Sequence, residues 1–384
     1  MHYIAAMQNP TPSPTEKQVL VLQGGGALGA YQAGAYEALV KSGVEPEWLA
    51  GISIGAINGA LIAGNPKEKR VAALREFWNK LSSGLQGPSL VPGQEGRTLF
   101  NEVSSWTATM FGIPGFFSPR LMSPLFSWPG TTGSTSFYDT EPLKQTLNTL
   151  IDFNYLNKSP MRLTIGAVNV KNGNFKYFDT TKDKLRADHI MASGALPPGF
   201  PAVLIDGDYY WDGGLVSNTP LNQVIDASDP TDNLCIYQVD LFSSEGVLPT
   251  TIMEAAEREK EIRYSSRTRA MTKAAMADVA LKKAAQNLLK KLPAEWQQDP
   301  DAKILAEQAR DGGITVMHVI NRPTAYDTHA KDYEFSRLSM EEHWQRGHDA
   351  VTSSLKSKAW NSRQIPAHGM VTFDHGKVVK NATV

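Results

Sequence analysis

Three short stretches of this chain combine residue types and spacings suited to acyl transfer. Gly51-Ile52-Ser53-Ile54-Gly55 has the form Gly-x-Ser-x-Gly, whose glycines let a serine sit on a sharp strand-to-helix turn with its hydroxyl exposed. A serine placed there becomes a nucleophile when a neighbouring base takes its proton. The alternative is a tight glycine turn in which Ser53 only caps the next helix. Gly24-Gly25-Gly26 offer backbone N–H groups with no side chain in the way, suited to the negative charge that develops on an attacked carbonyl oxygen. Asp212 is followed by Gly213-Gly214, which free the backbone so that a carboxylate at a strand end can reach over a sheet. Its blander reading is an Asx-turn held by its own carboxylate.

The base is the harder question. In three-residue triads a histidine removes the serine proton, and eight are available: His2, His189, His318, His329, His343, His348, His368 and His375. None sits in a turn that follows a strand of the N-terminal half and precedes a helix, so Asp212 is the sharper candidate. A carboxylate near its ordinary pKa of about 3.9 is a weak base for a serine hydroxyl, which requires the site to be partly desolvated. The glycines also satisfy Gly24-x-Gly26-x-x-Gly29, a dinucleotide pattern, but that use needs an acidic residue ending the next strand. Ser53 stands there instead, and Glu45 and Glu47 precede the strand. No His/Cys/Asp/Glu cluster has ligand spacing, so neither a metal nor a cofactor is expected.

These residues need elements to position them. The apolar run 18–22, halted by glycines, reads as a buried strand; 27–39 reads as a helix closed by Gly43; a second strand at 48–52 runs into a helix at 54–63. Such alternation predicts an α/β fold with a parallel sheet and its loops gathered at the carboxyl ends of the strands. Strands are expected at 162–170 and 174–178, joined through Asn172-Gly173, and at 202–205 and 209–211 across Asp206-Gly207, with 234–241 closing the first domain. Residues 82–137 break the pattern, rich in Gly, Pro and Ser yet carrying Phe100, Trp106, Phe111, Phe116, Phe117, Phe126, Trp128 and Phe137. They read as an aromatic insertion that is a lid over an acyl pocket, a surface dipping into an interface, or core beneath an irregular loop.

Three units follow: a loose leader over 1–17, a catalytic domain over 18–245, and a mainly helical C-terminal region over 246–384. In the last, Ala270, Ala274, Ala277, Leu281, Ala285, Leu288 and Leu292 form an expected apolar stripe, with a strand at 314–320, a helix at 336–355 and a hairpin at 370–379 around Asp374-His375-Gly376. Residues 263–291 hold eight Lys and Arg (Arg263, Arg267, Arg269, Lys273, Lys282, Lys283, Lys290, Lys291) and only Asp278, a net +7 that suits either peripheral contact with an anionic membrane or a solvated outer face. The whole chain of 384 residues carries a net charge of -1, which excludes a globally basic nucleic-acid binder. No apolar run reaches the ~18 residues of a membrane helix, and the N-terminus lacks the basic and apolar regions of a signal peptide, so a soluble, cytoplasmic protein is expected. The single cysteine, Cys235, lies in an apolar run and excludes a disulfide framework.

Taken together, Gly24-Gly25-Gly26-Ala27-Leu28-Gly29, Gly51-Ile52-Ser53-Ile54-Gly55, residues 193–198 and Asp212-Gly213-Gly214 with Asn218 and Pro220 resemble the patatin-like phospholipase family, in its order and over about residues 18–242. The resemblance implies a three-layer fold with a central, mostly parallel sheet flanked by helices. It implies a serine esterase with a Ser53–Asp212 dyad, an oxyanion hole at Gly24, Gly25 and Gly26, and supporting glycines at Gly29, Gly51, Gly55, Gly213 and Gly214. Many relatives carry Arg or Lys where this chain has Leu28, and Asp where it has Gln23. The expected function is hydrolysis of phospholipids or related lipid acyl esters through an acyl-enzyme, without nucleic acid, cofactor or metal. An esterase or thioesterase on soluble or storage esters, and a non-catalytic nucleotide- or lipid-binding module, stay open. The oligomeric state is not legible.

Overall fold

The first strand, β1 (Glu16–Leu22), shows how the sheet is buried. Leu20 and Leu22 join the larger apolar core, while Val19 and Val21 join a second core on the opposite face. A strand buried on both faces needs helices on both sides of the sheet, and this one has them. The computed structural model describes residues 16–85, 87, 93–322, 324, 330–367, 369–374 and 377–378. The expected leader therefore lies outside the described residues up to position 15, and Glu16 and Lys17 already belong to β1.

Helix α1 (Ala30–Lys41) crosses over to β2 (Trp48–Gly51), which lies parallel to β1, and α2 (Ile54–Ala63) and α3 (Arg70–Leu81) follow. Residues 82–137, expected as an aromatic lid or insertion, hold the 19-residue α4 (Gly93–Phe111). Its buried residues include Arg97, Asn101, Ser104 and Ser105, so no inward apolar period marks it in the sequence. A small ribbon of β3 (Ser118–Pro119) and β4 (Tyr138–Asp139) closes the segment. Helices α5 (Glu141–Leu150) and α6 (Phe153–Leu156) lead to β5 (Arg162–Asn169), its hairpin partner β6 (Phe175–Asp179) and α7 (Ala187–Ser193). Strands β7 (Val203–Ile205) and β8 (Asp208–Asp212) form the second expected hairpin, whose turn residues Asp206 and Gly207 both take positive φ, 51° and 96°. Then come α8 (Leu221–Asp226) and β9 (Asn233–Asp240).

The C-terminal half contributes α9 (Ile252–Leu289), α10 (Pro300–Gln308), β10 (Ile314–Ile320), α11 (Arg337–Lys356), α12 (Lys358–Asn361), β11 (Met370–Asp374) and β12 (Lys377–Val378). Its strands extend the same sheet, whose order is β12-β11-β10-β9-β1-β2-β5-β8-β7 with β6 on β5. The six strands from β11 to β5 are parallel, and the antiparallel ones lie beyond them. Helix α11 packs along α1. The turn at His375 and Gly376 in the terminal hairpin lies outside the described residues.

Helix α9 has the expected period but a different phase. Ala270, Ala274, Ala277, Leu281 and Leu288 of the expected stripe face solvent, and the buried face runs through Ser265, Thr268, Thr272, Ala275, Val279 and Ala285. That face is polar at one end because it docks on polar loops: Thr268 accepts a hydrogen bond from the Gln23 amide at 3.0 Å and shares one with Thr219 at 3.1 Å. Among the basic residues, Lys282 pairs with Asp226 and Asp278, Lys283 and Lys290 with Asp311, and Arg263 with Glu259.

The register around β5 brings distant parts of the chain together. Strand β6 covers Thr164–Val168 on one edge of β5, so β2, which pairs with Arg162–Ile165, and β8, which pairs with Ala167–Asn169, share the other edge. One runs parallel to β5 and the other antiparallel. Their carboxyl ends therefore meet at Gly166, with Gly51 opposite Ile165 and Asp212 opposite Ala167.

Candidate active site

Ser53 leaves β2 just where β8 ends at Asp212. Its backbone has φ 55° and ψ -123°, a left-handed conformation that a non-glycine residue keeps only when its surroundings hold it, at about 1–3 kcal/mol. The holding contact is a serine: the Ser53 amide donates to Ser193 Oγ at 3.0 Å, and the Ser193 hydroxyl donates to the Gly166 carbonyl at 2.7 Å. Two residues on, the Ala195 carbonyl accepts from the Asp212 amide at 3.0 Å. The short segment 193–195 thus ties the backbones of Ser53 and Asp212 to one another.

The side chains meet as well. Ser53 stands at the N-cap of α2 but makes no cap hydrogen bond; its side chain lies beside the Asp212 carboxylate in the same cleft. The capping alternative does not describe this serine. The Asx-turn at Asp212 is present, since Oδ1 accepts from the Gly214 amide at 2.7 Å, and it holds the carboxylate facing Ser53. Asp212 is 3% exposed, and burial pushes its pKa up to about 6, against the smaller opposing effect of its hydrogen bonds with Ser53 and the Gly214 amide. The desolvation that the weak base required is therefore in place.

The glycines divide into two groups. Gly24 is part of the frame: its amide donates to the Asn218 carbonyl at 3.2 Å and its carbonyl accepts from Asn218 Nδ2 at 3.0 Å. Its N–H is occupied, which removes it from the expected oxyanion set. Among the described residues, the amides of Gly25 and Gly26 donate to nothing. They stand at the entry of the 3-10 turn Gly26–Gly29 that continues into α1, where helical N–H groups favour negative charge. Gly26 has φ 55°, and a Cβ there would lie 2.3 Å from the Asp332 carbonyl, so only glycine fits. The elbow glycines are equally tight, a Cβ on Gly55 falling 2.3 Å from the Leu22 carbonyl and one on Gly51 2.4 Å from Gly55. Gly29 abuts Ile54, and Gly213 abuts the Gly166 carbonyl.

Three contributors were not singled out from sequence for what they do here. Gln23, noted only as a departure, is fully buried; its Oε1 accepts from the amides of Leu241 and Phe242 at 2.6 and 3.2 Å, and its Nε2 reaches Thr268 on α9. It anchors the glycine loop to β9 and α9. Leu28, the other departure, is buried in the core and faces away from the chemistry. Ser193 carried no signal beyond its place in the resemblance. The third contributor is the C-terminal half itself. Ser53, Asp212 and the glycines line a cleft of about 710 Å³, counted to its open mouth. Its apolar lining comes from Ile57, Phe116, Phe117 and Phe200 of the N-terminal part and from Phe242, Tyr264, Tyr333 and Phe335 further along the chain. Asp332, beside Gly26, has its charge paired with Lys260 at 2.7 Å.

Among the described residues, no histidine lines the cleft and no group of three His/Cys/Asp/Glu could hold a metal ion. His189 is buried against Phe178, and His318 pairs with Asp240. His2, His329, His368 and His375 lie outside the described residues. No helix among them is long and apolar enough to cross a membrane.

A family model described as patatin-like phospholipase matches residues 20–225, more than half of the chain, and a second, described as patatin phospholipase, matches residues 262–367. A putative patatin-like phospholipase domain-containing protein of Caenorhabditis elegans, M110.7, is 41% identical over 59 residues, 15% of this chain and 5% of that protein. This chain thus spans a small part of the curated relative it matches. Among solved structures, human GIVD cytosolic phospholipase A2 aligns at 11% identity and TM-score 0.44 over 89% of this chain and 59% of its own. VipD from Legionella pneumophila aligns at 13% and 0.36 over 86% and 68%, and the type III effector ExoU at 14% and 0.35 over 91% and 54%.

Proposed function

Since this chain belongs to the patatin-like phospholipase family, we propose that it is a serine acyl hydrolase of phospholipids or related lipid acyl esters, working through a Ser53–Asp212 dyad. The observation that carries this reading is the placement of the Ser53 side chain, which makes no cap bond, beside the buried carboxylate of Asp212 in an apolar cleft, where burial pushes the carboxyl pKa up to about 6. Asp212 takes the hydroxyl proton as Ser53 attacks the ester carbonyl. The developing oxyanion accepts hydrogen bonds from the Gly25 and Gly26 amides, at the positive end of a helix. Collapse releases the alcohol, which takes the proton from Asp212, and leaves an acyl group on Ser53. Water, deprotonated by the same carboxylate, then releases the acid. The aromatic walls suit an acyl chain, which needs apolar surface and no hydrogen bonds.

The test is hydrolysis of a panel of phospholipids, triacylglycerols, acyl-thioesters and short soluble esters by wild type, Ser53→Ala and Asp212→Asn. Each variant should lose at least about a hundredfold in kcat/KM on every ester the wild type cleaves, and the double variant should be no worse than the single ones. A folded Asp212→Asn enzyme with more than a tenth of wild-type turnover would remove the dyad. Cleavage confined to soluble esters or thioesters would replace phospholipids as the substrate class.

A further inference from the structure

Helix α4 is built inside out. Its inner face is polar: the Arg97 guanidinium donates to Ser339 Oγ at 2.7 Å and Glu342 at 3.0 Å, Ser104 donates to Glu334, and Ser105 donates to the Ala330 carbonyl at 3.4 Å. Its outer face carries Leu99, Val103, Trp106 and Met110, spaced by four, three and four residues along one stripe and each more than half exposed. Phe111 (70% exposed) continues it, and Leu125, Phe126 and Trp128 (83%) project from the segment that follows. Between residues 98 and 137 the only charged side chains are Glu102 and Arg120. An apolar surface interrupted by charge, between Leu99 and Phe111, only at the exposed Glu102 is foreign to water over most of its area and marks a place of contact.

Its position says with what. The turn leaving α4 delivers Phe116 and Phe117 to the cleft wall. Tyr138 donates its hydroxyl to the Thr109 carbonyl at 2.8 Å on α4, and its ring packs on Phe117 with centroids 4.7 Å apart. The inner face of the helix rests on residues 330–339, and Phe335 of that segment lines the cleft with its ring packed on Phe116, centroids 5.9 Å apart. The helix that carries the apolar stripe is therefore joined to the cleft wall at its C-terminal end, through Phe116, Phe117 and Tyr138.

We propose that this face, Leu99, Val103, Trp106, Met110 and Phe111, is the surface by which the protein enters a phospholipid bilayer, docking the mouth of the cleft against the lipid from which an acyl chain is drawn. The proposal rests on the acyl-hydrolase reading of the cleft. Because the face is nearly free of charge, it needs no anionic headgroups: burial of apolar side chains drives docking, and salt leaves it in place. The lysines at 282, 283 and 290, each paired with an aspartate, are not required.

The test uses the full chain and vesicles of phosphatidylcholine, with and without about one fifth phosphatidylglycerol, and reads binding by co-flotation at low salt and at about 0.5 M salt. Wild type should bind the zwitterionic vesicles, with less than about a twofold change across salt. The variant Leu99→Gln/Val103→Gln/Trp106→Gln/Phe111→Gln should lose at least about tenfold in binding and in vesicle hydrolysis, while hydrolysis of a short soluble ester stays within about twofold. Trp106→Phe, which keeps the apolar ring, should bind like wild type. Binding only to anionic vesicles, lost with salt, overturns the proposal in favour of the basic residues. A wild type that is dimeric, becomes monomeric in the quadruple variant and never binds vesicles makes the face an interface between copies. The acyl-hydrolase reading fails separately: wild type that binds phosphatidylcholine but cleaves no ester keeps the surface and removes the enzyme.

Discussion

Two helices, one lining the cleft and one leading into its wall at Phe116 and Phe117, are built on opposite principles. Helix α2, which starts at Ser53, is buried along its whole length, Ile54 to Ala63, with small residues that let it lie close to the sheet. Helix α4 buries arginine, asparagine and serine and turns its large apolar side chains outward. The first is fixed on every side and holds a strained serine in place. The second is fixed along one polar seam and presents a surface. The proposed chemistry, which depends on orientation, is placed on the first, and the proposed contact with something fluid on the second. Changes around α2 should therefore be felt as lost stability and lost turnover together, and changes on the outer face of α4 as neither, so long as the substrate is a soluble ester.

The largest expected effect is on Asp212 and is visible in pH. In the folded protein its pKa is about 6, above the ordinary 3.8, so between those values the folded chain holds a proton that the unfolded chain has released. Stability then falls as pH rises through that window, by about 3 kcal/mol for this group alone. Asp212→Asn carries no such group, so denaturation at pH 4 and pH 8 should show the variant gaining up to about 3 kcal/mol on wild type between the two. Wild-type kcat/KM should rise through about pH 6 as the carboxylate becomes able to accept the proton. A stability difference that does not move with pH, or turnover that is flat from pH 5 to 7, would leave Asp212 as a turn residue only.

Much of the α2 side was legible in sequence because its constraints are local. Glycines around a serine, an apolar run halted by glycines, and a strand ending in Asp-Gly-Gly each report a backbone conformation that few other residues allow. What stayed hidden depends on contacts between distant positions. Ser193 looks like any helix C-terminal serine until Gly166 and Ser53 are placed on either side of its hydroxyl. The amide of Gly24 could not be separated from those of Gly25 and Gly26 before Asn218 was seen to occupy it. Helix α4 was missed, and the stripe of α9 placed on the wrong side, for one shared reason: both helices bury polar residues against polar loops, and a reading that equates apolar with inside points the wrong way. Strands β10 and β11 are largely apolar and were legible as strands, but nothing local says that they extend a sheet begun almost three hundred residues earlier.

The next effect in size sharpens the comparison through a residue that touches no substrate. Ser193→Ala removes the acceptor of the Ser53 amide and leaves that amide and the Gly166 carbonyl buried without partners, which costs about 1–3 kcal/mol. It also releases the strained backbone that aims the Ser53 hydroxyl. We expect kcat to fall by about tenfold with KM near wild type, since the loss lies in positioning the nucleophile and not in holding the chain. Ser193→Thr, which keeps the hydroxyl, should recover part of the turnover. Equal loss in both variants would assign the effect to packing around α7.

The smallest expected effect is the one that could undo the contrast. Trp106 on α4 is 61% exposed and its ring touches Phe111 edge-on, with centroids 6.5 Å apart. If the outer face only presents surface, then Trp106→Ala removes little buried area from the folded chain and should change the unfolding free energy in the absence of lipid by less than about 0.5 kcal/mol. Ile57→Ala on α2, a smaller truncation at a residue that is 1% exposed, should cost about 2–5 kcal/mol. Chemical denaturation of the two variants beside wild type gives both numbers in one experiment. A Trp106→Ala penalty of about 2 kcal/mol or more would mean that the ring is covered in solution, by another copy of the chain or by a part of this one, and α4 would then belong with α2 as framework, with its apolar stripe closed to lipid.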